Sequence, residues 1–176
     1  MAFLDRFTDD EQLLLAATPT LIGSVMAFAA SSGLGTIKEM MASTRTYLGG
    51  LESYPENEII QGVLPNLDDR KEALTQAKTF RAKTLERLKA KGVDSKASLR
   101  ALLIDDTKMV HALLAEKATP GEASEYRAWA MAVAGNVAKA AKEGGFLGIG
   151  GERVSDDEKT LFTELAEALG SEDQLS

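Results

Sequence analysis

The chain has 176 residues, of which 44% are hydrophobic and 27% charged, with a formal net charge of −7, no cysteine and one histidine. A chain of this length forms one domain that buries roughly 70% of its unfolded surface. The composition excludes disulfides, thiolate metal sites, a cysteine nucleophile and multi-histidine metal centres, and it leaves His111 as the only histidine for a catalytic triad. Negative charge also argues against nucleic-acid binding, and the expected compartment is the cytoplasm.

Residues 1–7 are expected to be a loose terminus. Thr8 and Glu11 form a capping-box pattern that opens a helix over 9–17. From Leu13 to Ile37 no side chain is charged, which raises the question of a membrane span. Thr18 and Pro19 read as an N-cap and first-turn proline, so a new helix is expected over 19–32. That helix, about 14 residues long, is too short for a span that needs about 20. The preceding Asp5, Asp9, Asp10 and Glu11 do not suit a signal peptide. A buried central helix is the expectation. Gly33 stops it, Thr36 and Glu39 open a helix over 37–48, Gly49 ends that one, and a further helix covers 55–64.

Asn66 reads as the N-cap of a helix over 67–91, whose apolar stripe is Leu67, Leu74, Ala77, Phe80, Leu85 and Leu88. The same helix carries Lys78, Arg81, Lys83, Arg87, Lys89 and Lys91. Residues 61–118 hold 12 basic against 8 acidic side chains, whereas 1–60 hold 3 against 8 and 119–176 hold 5 against 11. The basic run is read as a solvated face opposite acidic neighbours of the same fold, with a binding surface as the alternative. Gly92 ends the helix. Asp94 before Ser95 opens the next, over 95–117.

On that helix the stripe is Leu99, Leu102, Leu103, Met109, Val110, Leu113 and Leu114, and rotation places Asp106 within it. A buried carboxylate needs a cation or several donors, or else stays protonated. Arg45, Lys38 and Arg127 are the candidate partners. The functional reading of Asp106 is a ligand or general base in a pocket, and the structural reading, which we prefer, is an ion pair fixing helix register. His111 falls on another face beside Lys108 and is expected to be exposed.

Thr119 and Glu122 cap a helix over 120–143, with Tyr126, Trp129, Ala130, Val133, Val137, Ala140 and Ala141 on one face. Tyr126 and Trp129 are read first as core, and with Asp106 they are the candidate ligand-binding residues. No metal site is expected. A carboxylate-bridged centre wants Glu-x-x-His pairs, and Lys108 stands three residues before His111. Five glycines among residues 144–151 resemble neither a dinucleotide fingerprint nor a P-loop, since no strand precedes them and no lysine follows. They read as a helix connection whose Phe146, Leu147 and Ile149 dock on the bundle. Ser155 and Glu158 then cap a helix over 156–169, Gly170 stops it, and 171–176 are expected to be loose.

The set Phe7-Thr8-Asp9-Asp10-Glu11, Ser32-Gly33-Leu34-Gly35-Thr36-Ile37-Lys38-Glu39 and Ala140 through Ser155 resembles an uncharacterised family of bacterial helical proteins. The resemblance implies a helical fold and a bacterial source, and it brings no assigned activity. More loosely, the last two helices and their glycine loop resemble the repeat of tellurite-resistance TerB-like domains, in which an acidic residue beside the glycine turn is implicated in metal binding. Gly150-Gly151 stands there instead, so no ligand residues carry over.

The expectation is therefore an all-α, single-domain bundle of about seven to eight helices, without a membrane span and without a cofactor. With no complete catalytic constellation, its expected role is non-enzymatic and stress-related, through a protein partner or a homo-oligomer. The alternative is a metal- or small-molecule-binding bundle using Asp106 and the Tyr126/Trp129 face.

Overall fold

The computed structural model describes residues 3–29, 36–143 and 154–172. Their regular elements are all helical: α1 (Phe3–Arg6), α2 (Asp9–Ala29), α3 (Thr36–Ser53), α4 (Glu58–Val63), α5 (Arg70–Ala90), α6 (Lys96–Lys117), α7 (Pro120–Glu143) and α8 (Asp156–Leu169). This is the all-α bundle expected. The readings placed on Gly33 and on the 144–151 glycine loop, including the docking of Phe146, Leu147 and Ile149, lie outside the described residues.

α2 is the axis of the bundle, with α3, α6, α7 and α8 packed around it. Twelve of its 21 residues are buried. The expected break at Thr18-Pro19 does not occur, because the tertiary structure supplies what proline removes. Pro19 has no N–H for the carbonyl of Leu15, four residues back. The Tyr126 hydroxyl of α7 donates to that carbonyl instead, at 2.6 Å. Thr18 is not a cap: its hydroxyl donates to Leu14 O at 2.8 Å, inside the same helix. Unbroken, α2 is the one described helix long and apolar enough to cross a membrane. Its burial inside the bundle, not its length, marks it as a core helix.

α3 also outruns its expected end at Gly49 and continues to Ser53. Two glycines cost a helix about 1 kcal/mol each relative to alanine, and packing against α7 offsets that. Trp129 Nε1 donates to Tyr47 O at 3.1 Å, and the two rings stack with centroids 5.2 Å apart. A Cβ on Gly50 would stand 2.7 Å from the indole nitrogen, so this close approach requires glycine. Tyr47 OH reaches Ala16 O of α2 at 3.3 Å, and Tyr126 meets Trp129 edge-on at 5.5 Å. Three aromatic residues thus bind α2, α3 and α7 together through backbone carbonyls.

Local signals set most helix ends. Thr8/Glu11, Thr119/Glu122 and Ser155/Glu158 close their capping boxes. For Thr36/Glu39, the Thr36 side chain lies outside the described residues. α5 starts from Asp69 rather than Asn66, and α6 from Ser95, which Ser98 partners. Asn57 caps α4 and at 1% exposure also donates to Glu122 O and Glu125 Oε2 of α7. Gly92 and Gly170 adopt φ of 69° and 68°, the left-handed termini expected of them. His111 is not exposed: its Nδ1 lies 2.9 Å from Leu169 O, where Arg127 Nε also donates at 3.0 Å. Both groups satisfy the negative end of α8. The N-terminal segment is docked at Arg6 and Phe7, with Phe7 3% exposed and Arg6 bound to Glu122 at 2.9 and 2.6 Å. That guanidinium holds the Glu122 carboxyl down at about 2.

The Tyr126–Leu15 bond yields a specific expectation. Tyr126→Phe leaves a buried carbonyl without a donor and should cost about 1 to 3 kcal/mol in urea unfolding. In a Pro19→Ala background the restored N–H satisfies Leu15, so the same substitution should cost well under half as much. Equal costs in both backgrounds would refute this account of Pro19.

Candidate functional site

An open apolar surface lies where α5 stands off the bundle. The sequence places Leu67, Leu74, Ala77, Phe80, Leu85 and Leu88 on one stripe, which ordinarily means a buried face. In the structure no residue of α5 is buried. Leu67, Leu74 and Leu85 are 52%, 56% and 47% exposed, and only Phe80 and Leu88 reach the core. The connection before α5 is fixed by short bonds. Asn66 Oδ1 accepts from Asp68 N, Asn66 N donates to Gln76 Oε1, and Asp69 Oδ1 accepts from Lys71 N and Glu72 N. These bonds tie the connection to the first turns of α5, which lies over α2 and α3 without burying a residue of its own.

A groove of about 820 Å³ results. α2 contributes Thr20, Gly23 and Ser24; α3 contributes Met40, Ser43, Thr44, Tyr47 and Leu48. The opposite wall runs from Val63, Leu64, Pro65 and Leu67 into Ala73, Leu74, Ala77 and Phe80 of α5. Gly23 shapes the floor: a Cβ there would fall 1.9 Å from Ser43 Oγ, so glycine lets α2 and α3 touch. The wall hydroxyls are largely spent on helix carbonyls. Thr20 donates to Ala17 O, Ser24 to Thr20 O, Thr44 to Met40 O and Tyr47 to Ala16 O. Burial also pushes the Tyr47 hydroxyl well above the ordinary tyrosine range. The groove therefore offers apolar contact, with Arg70 as the one charged side chain that the described residues place on its lining.

Around it the charge is one-sided. α5 carries seven basic residues, Arg70, Lys71, Lys78, Arg81, Lys83, Arg87 and Lys89, against Glu72 and Glu86. The expectation that acidic neighbours face this run is met only at Arg87. Among the described residues the other six make no ion pair.

The three sequence-derived candidates lie elsewhere. Asp106 is 1% exposed, as the rotation implied. Its partner is Arg87 and not Arg45, Lys38 or Arg127: Nη1 donates to Oδ2 at 2.7 Å and Nη2 to Oδ1. Both carboxylate oxygens are thus engaged in a bidentate pair joining α5 to α6. Tyr126 and Trp129 are 0% and 1% exposed, with their polar atoms on Leu15 O and Tyr47 O. Asp106 faces α5, the aromatic pair faces α2 and α3, and none of the three lines the groove.

One group was not foreseen. Glu39 of α3 is 2% exposed, and its Oε2 finds no hydrogen-bond partner among the described residues. Burial first, and the Glu158 carboxylate second, raise its pKa above the ordinary 4.5. Glu158 spends Oε2 on Ser155, while its buried Oε1 has no partner among the described residues. Among the described residues no third ligating side chain joins them. The sequence offered only a capping-box glutamate at Glu39, with no signal that another carboxylate would approach. No family model matches this chain, nor does any curated protein or solved structure.

Two stability measurements follow. Asp106→Asn should cost about 2 to 3 kcal/mol, because Arg87 loses its charge partner in a largely buried setting. A double replacement by apolar residues, Arg87→Met with Asp106→Leu, should recover most of it; a loss below about 0.5 kcal/mol in the single variant would contradict this role. For Glu39, a raised native pKa means that its contribution is fully present below the unfolded pKa and is lost as pH rises through the native value. Glu39→Gln should therefore raise Tm at pH 7 and give little gain at pH 4. A Tm difference that is independent of pH would oppose the assignment.

Proposed function

We propose that this chain is a non-catalytic binding protein that acts through protein–protein association at the α2/α3/α5 groove. The observation that carries the reading is α5 itself, a 21-residue helix with a leucine stripe and no buried residue. A helix normally gains its stability by burying such a stripe. Large contiguous apolar patches on a folded chain mark interaction sites, and this one is concave, with spent hydroxyls and with Met40, 59% exposed, as an adaptable contact. Those are the properties of a groove that accepts the apolar face of a helix. The resemblance to bacterial helical proteins is consistent with a cytoplasmic, stress-related role and adds no chemistry to the site.

A second reading has one specific support. A volume of about 820 Å³ falls within the roughly 300 to 1,000 Å³ of small-molecule sites, so a small apolar ligand would enter this groove rather than the Asp106 and Tyr126/Trp129 positions.

Both readings require an accessible apolar site here. Nile red, a neutral apolar dye, should bind at about one equivalent per chain. Met40→Glu with Leu74→Glu should weaken that binding at least tenfold while leaving the far-ultraviolet circular dichroism unchanged. Absence of dye binding, or binding indifferent to these substitutions, would remove the groove from consideration.

A further inference from the structure

We propose that the partner seated in this groove is an amphipathic helix with an acidic outer face. The inference rests on the groove being the binding site and adds the chemistry of its occupant. The apolar floor and walls accept one side of a helix, and the cations around them select what the rest of that helix presents.

The cations are placed for this. With rotation of about 100° per residue, the groove-facing side of α5 runs from Leu74 through Arg70, Ala77, Ala73 and Phe80 to Gln76. Arg81 lies on the Leu74 side of that stripe and Lys83 just past Gln76 on the other. Arg70 stands on the lining itself. None of these three pairs with an acid among the described residues, although the chain holds 27 acidic side chains against 20 basic ones. Cations that find no acid among the described residues around an apolar groove, in a chain with excess carboxylates, offer complementary charge to a second molecule.

The same charges argue against the other occupants. A second copy bringing its own Leu67/Leu74 surface into the groove would also bring a second α5, opposing seven basic residues with seven more across a symmetric contact. A bilayer is flat, whereas the apolar side chains here line a concavity between α5 and α3, a shape that a helix fills and a planar surface does not. A polyanionic nucleic acid would satisfy the cations and leave Met40, Leu67 and Leu74 unsatisfied.

The test uses the full-length chain and three 18-residue helical peptides that share one apolar face and carry Glu, Gln or Lys on the outer face. Affinity is read by calorimetry and by displacement of bound Nile red. The Glu peptide should bind at least tenfold more tightly than the Gln peptide, with the Lys peptide weakest. The spread should contract at 0.5 M NaCl, and Arg81→Glu with Lys83→Glu should invert the order. Equal affinities, or preference for the Lys peptide, would overturn the acidic face. If Nile red binds and no peptide displaces it, the occupant is not a helix and the proposal fails while the groove survives. If Nile red itself does not bind, the groove reading fails first. Vesicles of phosphatidylcholine and phosphatidylglycerol that bind the chain while the Glu peptide does not would assign the surface to membranes. A dimer in sedimentation that Met40→Glu with Leu74→Glu dissociates would assign it to a second copy. Either result would also overturn the proposal.

Discussion

The bond from Tyr126 OH to Leu15 O is the contact on which the arrangement turns. A proline in the middle of a 21-residue helix ordinarily kinks or ends it, since one acceptor loses its donor and the ring crowds the preceding turn. Here the orphaned carbonyl lies inside the bundle, where an unmet acceptor would be costly. A phenol from α7 meets it. The repair is also a tether, because it fixes the height of α7 along α2. It brings Trp129, three residues on, against Tyr47 and the Gly50 notch of α3. Continuity of α2 and the packing of α3 and α7 on it are one event.

That event is also what sequence reading misses, and the reason is distance. Tyr126 is 111 residues from Leu15 in the chain. Nothing within a helix-sized window around Pro19 reports it. Signals confined to one turn fared differently: Thr8/Glu11, Thr119/Glu122 and Ser155/Glu158, together with Gly92 and Gly170, act through bonds to residues three to five positions away, and the structure holds them as the pattern implied. Asp106 sits between the cases. Rotation alone places it on the buried face, because burial of a stripe is a property of its own helix. Its partner was hidden, because Arg87 belongs to a run of cations of which any member was chemically acceptable. Glu39 was illegible for the opposite reason, since a glutamate three residues into a helix is an ordinary cap until another carboxylate approaches.

α5 shows the limit of periodicity as evidence. Six apolar residues at helical spacing identify a face that avoids water and do not say what covers it. The helix stands without a core of its own because other terms suffice. Alanine, leucine, lysine, arginine and glutamate dominate its composition, Asp69 caps its start, and at its end Gly92 N and Val93 N return to Lys89 O and Leu88 O. Phe80 and Leu88 give it a partial grip on the bundle.

The Arg87–Asp106 pair completes that grip in a way an apolar contact would not. A buried ion pair adds little net stability against a hydrophobic pair of similar size, because desolvation cancels much of the attraction. It does constrain geometry, since a bidentate fork tolerates little sliding or tilt. Two leucines in those positions would let α5 settle toward α2 and α3 and close the groove by burying its own stripe. The fork ties α5 to α6, and the Asn66–Gln76 bond ties the preceding connection to α5, so the position of the helix is set by more than apolar attraction. Residues with small side chains beneath it, Gly23, Ser24 and Ser43, leave the space unfilled from the floor. The Arg87–Asp106 fork thus restrains α5 at the rim of the groove against the pull of its own apolar walls.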